Sequence, residues 1–435
     1  MYTALKDPAV EDSLQKQLDI IVEHTKTVYG RGCTVILAGG FGRGEGSIRK
    51  GQGKMAVPLH DFDVYVVTDK AASRAEHEAM ENSIVGDLSK LTGTDLKREN
   101  FAFGVEVVPR RSLSRLPPDL SAYEMKAAST VLYGPDIRDQ IPITNRDIPL
   151  SSGAITLFHR TTALLKNVEP EYLSQRHYPL ERGLETVYEC CKVYTEICTA
   201  LSLMGGFYKP SYGQRAEEFQ KHFSFFPQLQ HDLPSLAEQV YSHTRMKLTS
   251  DFSPIIQSPA ETWIETRHSL KIVLRFFLSR FLGISNEGSW EMLCRRARSR
   301  MRWWFFHDYL SFYLRRIGIP GSPIVNAANL TFQAYDYQTF RLKARRDGKP
   351  AGTHLLSLTS PIIDVYLSSA LVLFALQDDG TVDLEMLEAG RGYLANVFSF
   401  DGAKSAGPSF WKYVRDFCVE GQRLYFVAKQ QKTVV

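Results

Sequence analysis

The sequence predicts an α+β protein, in which an N-terminal α/β core with a short mixed sheet precedes an all-helical C-terminal region. Short apolar runs rich in β-branched residues, which are typical of strands, lie within the first third of the chain. From residue 149 onward, apolar residues recur at helical spacing over long segments. Since 435 residues are enough for two or three domains, we expect boundaries at 1–148 and 149–435, with a subdivision near residue 288.

The elements of the N-terminal region follow one another in a mixed order. Helical spacing or strand-like composition predicts a helix over 11–29, strands over 33–38 and 62–67, a helix over 73–91, a strand over 101–108 and a helix over 122–132. Glycines or a Gly-Pro pair end the first and last of these helices. Three strands among three helices therefore predict a small mixed sheet.

The C-terminal region shows only helical patterns. We expect helices over 155–165, 180–203, 261–282, 290–316, 362–376 and 410–429, separated by loops rich in Pro, Gly and Ser. No strand pattern of comparable strength follows residue 148.

Composition excludes several classes of protein. A net charge of +4 does not by itself indicate a nucleic-acid or membrane partner, although 291–349 holds twelve Lys or Arg against four Asp or Glu. The six cysteines lack a paired CxxC spacing, which favours reduced thiols over a disulfide framework. No apolar segment is long enough to span a bilayer, so we expect a cytoplasmic protein without a membrane span.

A glycine-rich segment directly follows the first strand. Residues 39–47 read GGFGRGEGS, with five glycines in the first eight positions. Glycines let backbone N–H groups approach and wrap a polyphosphate. A phosphate-binding loop and a purely structural turn explain this pattern equally well.

Three carboxylates are placed on the other two predicted strands. Asp61 and Asp63 alternate with apolar residues, so both side chains are expected on one face, where their repulsion favours a Mg²⁺ or Mn²⁺ ion. Glu106 is flanked by valines in the third strand. The alternatives are a solvated acidic face for the pair and, for Glu106, a solvent-facing position on an edge strand.

Together these residues resemble the DNA polymerase β superfamily of nucleotidyltransferases, whose pattern is Gly-[Gly/Ser], then Asp-x-Asp on a strand and a later third carboxylate. The match covers about the first third of the chain and rests on Gly39-Gly40, Asp61-x-Asp63 and Glu106. The loop GGFGRGE also resembles the bacterial uridylyltransferases of nitrogen regulation, and Glu as third carboxylate resembles the aminoglycoside nucleotidyltransferases. The segment 41–60 is longer than is usual in the superfamily.

The resemblance implies attack of an acceptor hydroxyl on the α-phosphorus of an NTP, with release of pyrophosphate. Asp61 and Asp63 would hold the metal ions, and Glu106 would complete the metal site or act as general base. The triphosphate would be bound by the residues Gly39, Gly40, Arg43 and Ser47. From the helical region, Lys192 and Tyr212 are candidates by position; a solvated lysine and an interhelix turn are the alternatives.

The acceptor is expected to be a hydroxyl group of a small molecule or a protein. One alternative is a polymerase or second-messenger synthase that acts on a nucleotide or RNA end and uses the arginine-rich and aromatic stretch 295–306. We favour a structural interpretation of that stretch, in which aromatic residues pack inside a helical bundle and arginines lie on its surface. A further alternative is a nucleotide-binding regulator without turnover. His60, next to Asp61, is expected to be orienting or structural.

Overall fold

The computed structural model describes residues 1–50, 55–59, 61–96, 103–301, 307–316, 322–349, 359–400 and 407–430. It confirms the α+β class, because a mixed four-stranded sheet with helices is followed by a largely helical region.

The N-terminal region contains six strands in two sheets. They are β1 (Thr34–Leu37), β2 (Ile48–Lys50), β3 (Ala56–Pro58), β4 (Asp63–Thr68), β5 (Gly104–Pro109) and β6 (Thr130–Tyr133). The main sheet has the order β5-β4-β1-β6, with β4 and β5 parallel and the other pairs antiparallel. Its helices are α1 (Pro8–Tyr29), α2 (Gly39–Gly42), α3 (Arg74–Thr92) and α4 (Leu120–Ala127).

Apolar residues cover the two faces of the main sheet differently. Val64 and Val66 belong to a core shared with α1 and α3, whereas Val67 and Val108 belong to a second core with Met125 of α4. Because side chains alternate along a strand, Asp63 and Tyr65 point to the same face as Val67. Helix α3 begins at a capping box in which Ser73 and Glu76 exchange hydrogen bonds.

One predicted element of this region is wrong in its second half. The helix expected over 122–132 ends at Ala127, and Thr130–Tyr133 forms β6, which pairs with the buried strand β1. The β-branched pair Thr130-Val131 suits this pairing, and tertiary pairing overrides the helical spacing. The hairpin of β2 and β3 was also missed, since each strand is only three residues long.

The C-terminal region consists of helices and short 3₁₀ turns. The helices are α5 (Leu150–Lys166), α6 (Pro170–Ser174), α7 (Leu180–Gly205), α8 (Tyr212–His222), α9 (Pro227–Asp232), α10 (Leu236–Thr249), α11 (Pro259–Leu282), α12 (Trp290–Met301), α13 (His307–Arg316), α14 (Ser322–Arg346), α15 (Pro361–Ala375), α16 (Leu384–Leu394) and α17 (Pro408–Gln430). The residues that the structure describes after position 149 contain no strand, only a single β-bridge between Leu376 and Val382.

The six predicted helices of this region are present, but the pattern missed several others. Where one helix was expected over 290–316, α12 and α13 occupy its two ends, and 302–306 lie outside the described residues. Helices α8 to α10 fill a segment that had no assignment. One apolar core includes α5, α7, α11, α15 and α17 and continues on both sides of Gly288.

Two further expectations concern the compartment. All six cysteines are free and buried. None of the helices in the described part of the chain combines the length and the apolar character needed to cross a bilayer.

Candidate functional site

The glycine-rich segment forms a tight turn against β4. After β1 the chain makes the single helical turn α2, in which Gly39 has a φ of +61°. A Cβ atom at Gly39 would lie only 1.7 Å from Asp63 Oδ2. Gly42 and Gly46 approach the Leu37 carbonyl oxygen and the Phe41 ring so closely that a Cβ would come within 2.1 Å of each. Part of the glycine pattern is therefore explained by packing, and Gly39 brings the turn against the carboxylate of Asp63.

Asp63 and Glu106 lie on one face of the sheet. Asp63 is the first residue of β4, and in the parallel register with β5 it is paired with Gly104, while Tyr65 is paired with Glu106. Asp63 and Glu106 are therefore diagonal neighbours across two strands, within reach of each other's side chains. Both residues are exposed, and β5 is an edge strand, as the alternative interpretation of Glu106 held.

Negative charge accumulates around this pair. Partial desolvation of its carboxyl group by the surrounding protein, followed by the charges of Asp119 and Asp63, raises the pKa of Glu106 above its usual range. Burial, Glu106 and Asp63 likewise raise the pKa of Tyr65. A cation placed among these carboxylates would relieve their repulsion.

Asp61 lies outside β4, two residues before its first residue, and is half-buried. Its charge contributes to a raised pKa of Tyr188, for which burial is the largest cause. Tyr188 belongs to α7, so Asp61 lies near the helical region, and Asp63 lies beside Tyr65 and Glu106. His60 lies outside the described residues.

Arg43 of the predicted phosphate loop is committed to ion pairs inside the protein. Its guanidinium group is only 3% exposed, lies 2.5 Å from Glu124 Oε2 and 3.5 Å from Glu45 Oε2, and stacks at 4.4 Å over the Tyr212 ring. Burial opposes the charge, but Glu124, Tyr212 and Glu45 outweigh it and raise the pKa of Arg43. Arg43 therefore contributes positive potential rather than an open hydrogen-bond donor.

Ser47 and Glu45 also hold the loop against the helical region. The Ser47 hydroxyl donates to the Lys247 backbone oxygen at 2.9 Å. The Glu45 carboxylate accepts from the Ser211 hydroxyl at 2.7 Å and from the backbone N–H groups of Tyr212 and Gly213 at 2.8 and 3.0 Å. Glu45 thus occupies the N-terminus of α8, a position at which an anion is favourable. Of the predicted triphosphate ligands in this loop, Gly39 and Gly40 remain as the backbone candidates.

Tyr212 is surrounded by positive charge. Besides Arg43, the Arg215 guanidinium lies 4.9 Å and Lys247 Nζ 4.5 Å from its ring centroid. Burial, offset in part by Arg43, raises the pKa of Tyr212 to about 12. The predicted residue Tyr212 therefore lies beside the glycine-rich loop, and its ring makes cation–π contacts with Arg43, Arg215 and Lys247.

Lys192 lies on α7, beside Tyr188. Its Nζ is 3.1 Å from Glu189 Oε1, and its ammonium group lies 5.4 Å from the centroid of the Tyr188 ring. Tyr188 is also the tyrosine whose pKa is raised in part by the charge of Asp61. The predicted residues Lys192, Tyr212 and Asp61 are thus brought into one neighbourhood, although 150 residues separate Tyr212 from Asp61 in the sequence.

Lys247 was missed by sequence reasoning. It is 5% exposed and, with respect to the described residues, its ammonium group makes no hydrogen bond or ion pair. Burial, followed by the charges of Arg43 and Lys192, lowers the pKa of Lys247 to about 8. A signal existed, because Lys247 lies on the face of α10 that also buries Leu236, Val240 and Leu248. A lysine on a buried helix face needs an explanation.

Two further acidic residues near the site were not anticipated. Glu124 of α4 joins Arg43 to the helical region, since its Oε1 accepts from the Tyr208 hydroxyl at 2.5 Å. Asp119 caps α4 by accepting from the Ala122 N–H and contributes to the pKa shift of Glu106. Neither belongs to a local motif, so only the fold places them here.

The three predicted metal ligands do not form a closed metal-binding group. Among the residues described, no set of three or more His, Cys, Asp or Glu side chains is arranged to hold one ion. The exposed, hard oxygen atoms of Asp63 and Glu106 nevertheless fit Mg²⁺, which proteins often bind through one or two carboxylates together with substrate phosphates. The donor set fits an ion that arrives with a phosphate ligand.

The arginine-rich stretch is partly structural. Arg298 forms a two-pronged ion pair with Asp364, at 2.6 and 3.0 Å, and Asp364 is 2% exposed. Arg300 is exposed, while Arg302 and the aromatic residues 303–306 lie outside the described residues. Arg298 is therefore not available to a nucleic acid in this arrangement.

No family model, curated protein or solved structure matches this chain. The family resemblance therefore stays a prediction from the residues.

Proposed function

We propose that this protein is a Mg²⁺-dependent nucleotidyltransferase, which transfers a nucleoside monophosphate from an NTP to a hydroxyl group of a small-molecule or protein acceptor. The observation that carries the proposal is the position of Asp63. Its carboxylate lies against the glycine turn at Gly39 and diagonally across from Glu106 on the neighbouring strand. Carboxylates beside a glycine turn are the parts that a metal-bound triphosphate requires.

The helical region supplies positive charge. Lys192 and Lys247 belong to the helical region, and Arg43 adds its potential from the loop. An NTP with its phosphates between the lysines and the carboxylates would place negative charge next to the ammonium of Lys247, which has no acidic partner in the described part of the chain. This gain would offset the cost of burying that ammonium group.

Each residue would have a distinct part. Asp63 and Asp61 would hold Mg²⁺, whose chemistry is to bridge phosphate oxygens and neutralise charge during phosphoryl transfer. Glu106, with its raised pKa, is suited to accept the proton of the acceptor hydroxyl. Lys247 would orient the leaving pyrophosphate. Gly39 and Gly40 would let the phosphates approach the backbone.

Release of pyrophosphate tests the proposal. Purified protein is incubated with Mg²⁺ and each NTP labelled at the α-phosphate, with and without a cell extract as the source of acceptor. We expect pyrophosphate and a labelled product with wild type, and none with Asp63→Asn. Glu106→Gln should lower kcat by about 10²–10⁴, the range of a general base, while NTP affinity changes little.

Asp69→Asn is the matched control, because Asp69 is exposed, directly follows β4 and carries the same charge. It should keep wild-type turnover. Magnesium-dependent NTP binding without pyrophosphate release under any condition would instead support a non-catalytic regulator. Wild-type turnover in Asp63→Asn would show that the carboxylates belong to the fold and not to the chemistry.

A further inference from the structure

A cavity of about 350 Å³ lies in the helical region, away from the candidate site. One face of α11 forms its floor, and Arg176, between α6 and α7, and Asp378, between α15 and α16, form its walls. Its volume lies within the usual range of small-molecule sites. None of the residues proposed above for nucleotide transfer lines it.

Arg267 is one of two cations on the floor. Its side chain is 12% exposed, its Nη2 pairs with Asp378 and its guanidinium lies 5.2 Å from the Trp263 ring centroid. The other terminal nitrogen, Nη1, is buried and has no hydrogen-bond partner among the residues that the structure describes. A buried guanidinium nitrogen without an acceptor is costly, so its retention calls for a ligand.

Lys271 lies one turn further along the same helix face. Its ammonium group is 5.6 Å from the Phe374 ring centroid and makes no hydrogen bond or ion pair with the described residues. Burial and the neighbouring charges of Arg267 and Arg275 lower the pKa of Lys271. Two adjacent cations therefore share this floor with unused donors.

The acidic groups of the cavity already have partners. Glu265 accepts from Gln239 Nε2 at 2.6 Å, Glu261 lies 3.9 Å from Arg176 Nη1, and Asp378 pairs with Arg267. The walls are also fixed, because Gly380 packs so tightly on Pro170 that a Cβ atom would come within 2.4 Å of the Pro170 carbonyl oxygen. Arg267 and Lys271 thus present unpaired donors in a preformed cavity, which lowers the ordering cost of binding.

We propose that this cavity binds a small organic anion, whose carboxylate or phosphate group accepts hydrogen bonds from Arg267 and Lys271. The proposal does not depend on nucleotidyltransferase activity. A cation pair of this kind suits a planar or tetrahedral oxyanion, since Arg supplies a forked donor and Lys a point charge.

Calorimetric titration with inorganic phosphate and, separately, with succinate tests this inference and distinguishes the two anion chemistries. We expect wild type to bind at least one of these probes at millimolar concentration. Lys271→Met, which keeps the aliphatic stem against Phe374, and Arg267→Gln should each weaken binding by about tenfold or more.

Two control variants test whether the loss of a positive charge outside the cavity also weakens binding of the probe. Arg182→Gln removes an equal charge from an exposed position of α7, and Lys221→Met removes one from an exposed position of α8. Both should bind the probe as wild type does. Failure of both probes to bind, or equal binding by wild type and Lys271→Met, would overturn the proposal whatever the outcome of the pyrophosphate assay.

Discussion

Glu106 lies near two other carboxylates, those of Asp63 and Asp119, and their repulsion should lower the stability of the folded protein. Its raised pKa means that the folded state disfavours the ionised form. Above its folded pKa the group is ionised, so in that range Glu106→Gln removes repulsion from Asp63 and Asp119 and should raise the melting temperature in EDTA. As pH falls through the folded pKa, wild type takes up the proton and the advantage should vanish.

Thermal unfolding of both proteins between pH 4 and 8 measures this effect, with Asp69→Asn as control. Added Mg²⁺ should reverse the order, because the ion stabilises the intact carboxylate pair. A lower melting temperature of Glu106→Gln in EDTA would mean that Glu106 makes a structural ion pair.

Lys247 should give the site a distinctive alkaline pH dependence. Since its pKa is lowered to about 8, its positive charge is lost as pH rises through that value. If Lys247 contacts the phosphates, NTP affinity should fall over the same range in wild type, while Lys247→Met should bind weakly with little pH dependence above pH 7.

The contribution of Lys247 to stability should rise with pH, whereas NTP affinity should fall. A loss of affinity at alkaline pH can therefore be distinguished from unfolding. Between pH 8 and the ordinary lysine pKa of 10.5 the unfolded chain holds more protons than the folded protein. The contribution of this group to stability therefore rises with pH. Fluorescence titration of a labelled NTP measures the affinity, and Lys221→Met, at an exposed position of α8, is the control. An unchanged pH profile in Lys247→Met would exclude the contact.

At the scale of an element, the turn α2 positions Asp63, and Gly39 is the residue that makes this contact feasible. Gly39→Ala would place a methyl group where Asp63 Oδ2 now lies and would force a side chain into a positive-φ conformation. The strain alone costs about 1–2 kcal/mol. We expect a lower melting temperature and loss of pyrophosphate release, because the carboxylate must move away from the turn.

Gly32→Ala is the matched control. Gly32 lies at the other end of β1, in the turn that precedes this strand, and a Cβ atom there would meet no other atom within 4 Å. It should leave both stability and turnover unchanged. If Gly39→Ala merely lowers stability and keeps turnover, the contact between the turn and Asp63 has no part in the chemistry.

The sequence predicted β4 because alternation along a strand is a local property, and it predicted Asp61 and Asp63 on one face of that strand, but β4 begins at Asp63. The register with β5, which places Glu106 on the face of Asp63, was not predicted because it depends on tertiary pairing. The sequence did not predict β6, since four residues that pair with a buried strand follow a helix without a break in the apolar pattern. Nor did it predict the partners of Arg43. Glu124 and Tyr212 are far from Arg43 in the sequence, and only tertiary packing brings these charges together.

At the scale of the whole molecule, the glycine-rich loop joins the sheet to the helical region. Glu45 caps α8, Arg43 pairs with Glu124 beside Tyr208, and Ser47 donates to the backbone of α10. Arg43 and Ser47, which were expected to bind phosphate, therefore also help to hold the sheet with its carboxylates against the helical region with its lysines. The sequence analysis predicted a phosphate-binding role for this loop but not its contacts with the helical region.

Glu45→Gln tests whether this connection controls the site. Glu45 is 7% exposed, and the substitution leaves the partly unpaired charge of Arg43 in the interior and weakens the cap of α8. We expect a loss of about 2–4 kcal/mol in the free energy of unfolding, measured by urea denaturation. Glu217→Gln, on the exposed face of α8, should change it little.

Hydrogen exchange then separates a local from a global effect of Glu45→Gln. The amides of Tyr212 and Gly213 now donate to Glu45, so a loosened connection should speed their exchange more than that of β4. Because Lys247 and Lys192 lie on the helical side, the same loosening should weaken NTP binding while the carboxylates remain in place. Uniformly faster exchange throughout the chain would mean that Glu45 stabilises the fold as a unit. Faster exchange confined to α8, together with weaker NTP binding, would mean that the loop sets the distance between the carboxylates of the sheet and the lysines of the helical region.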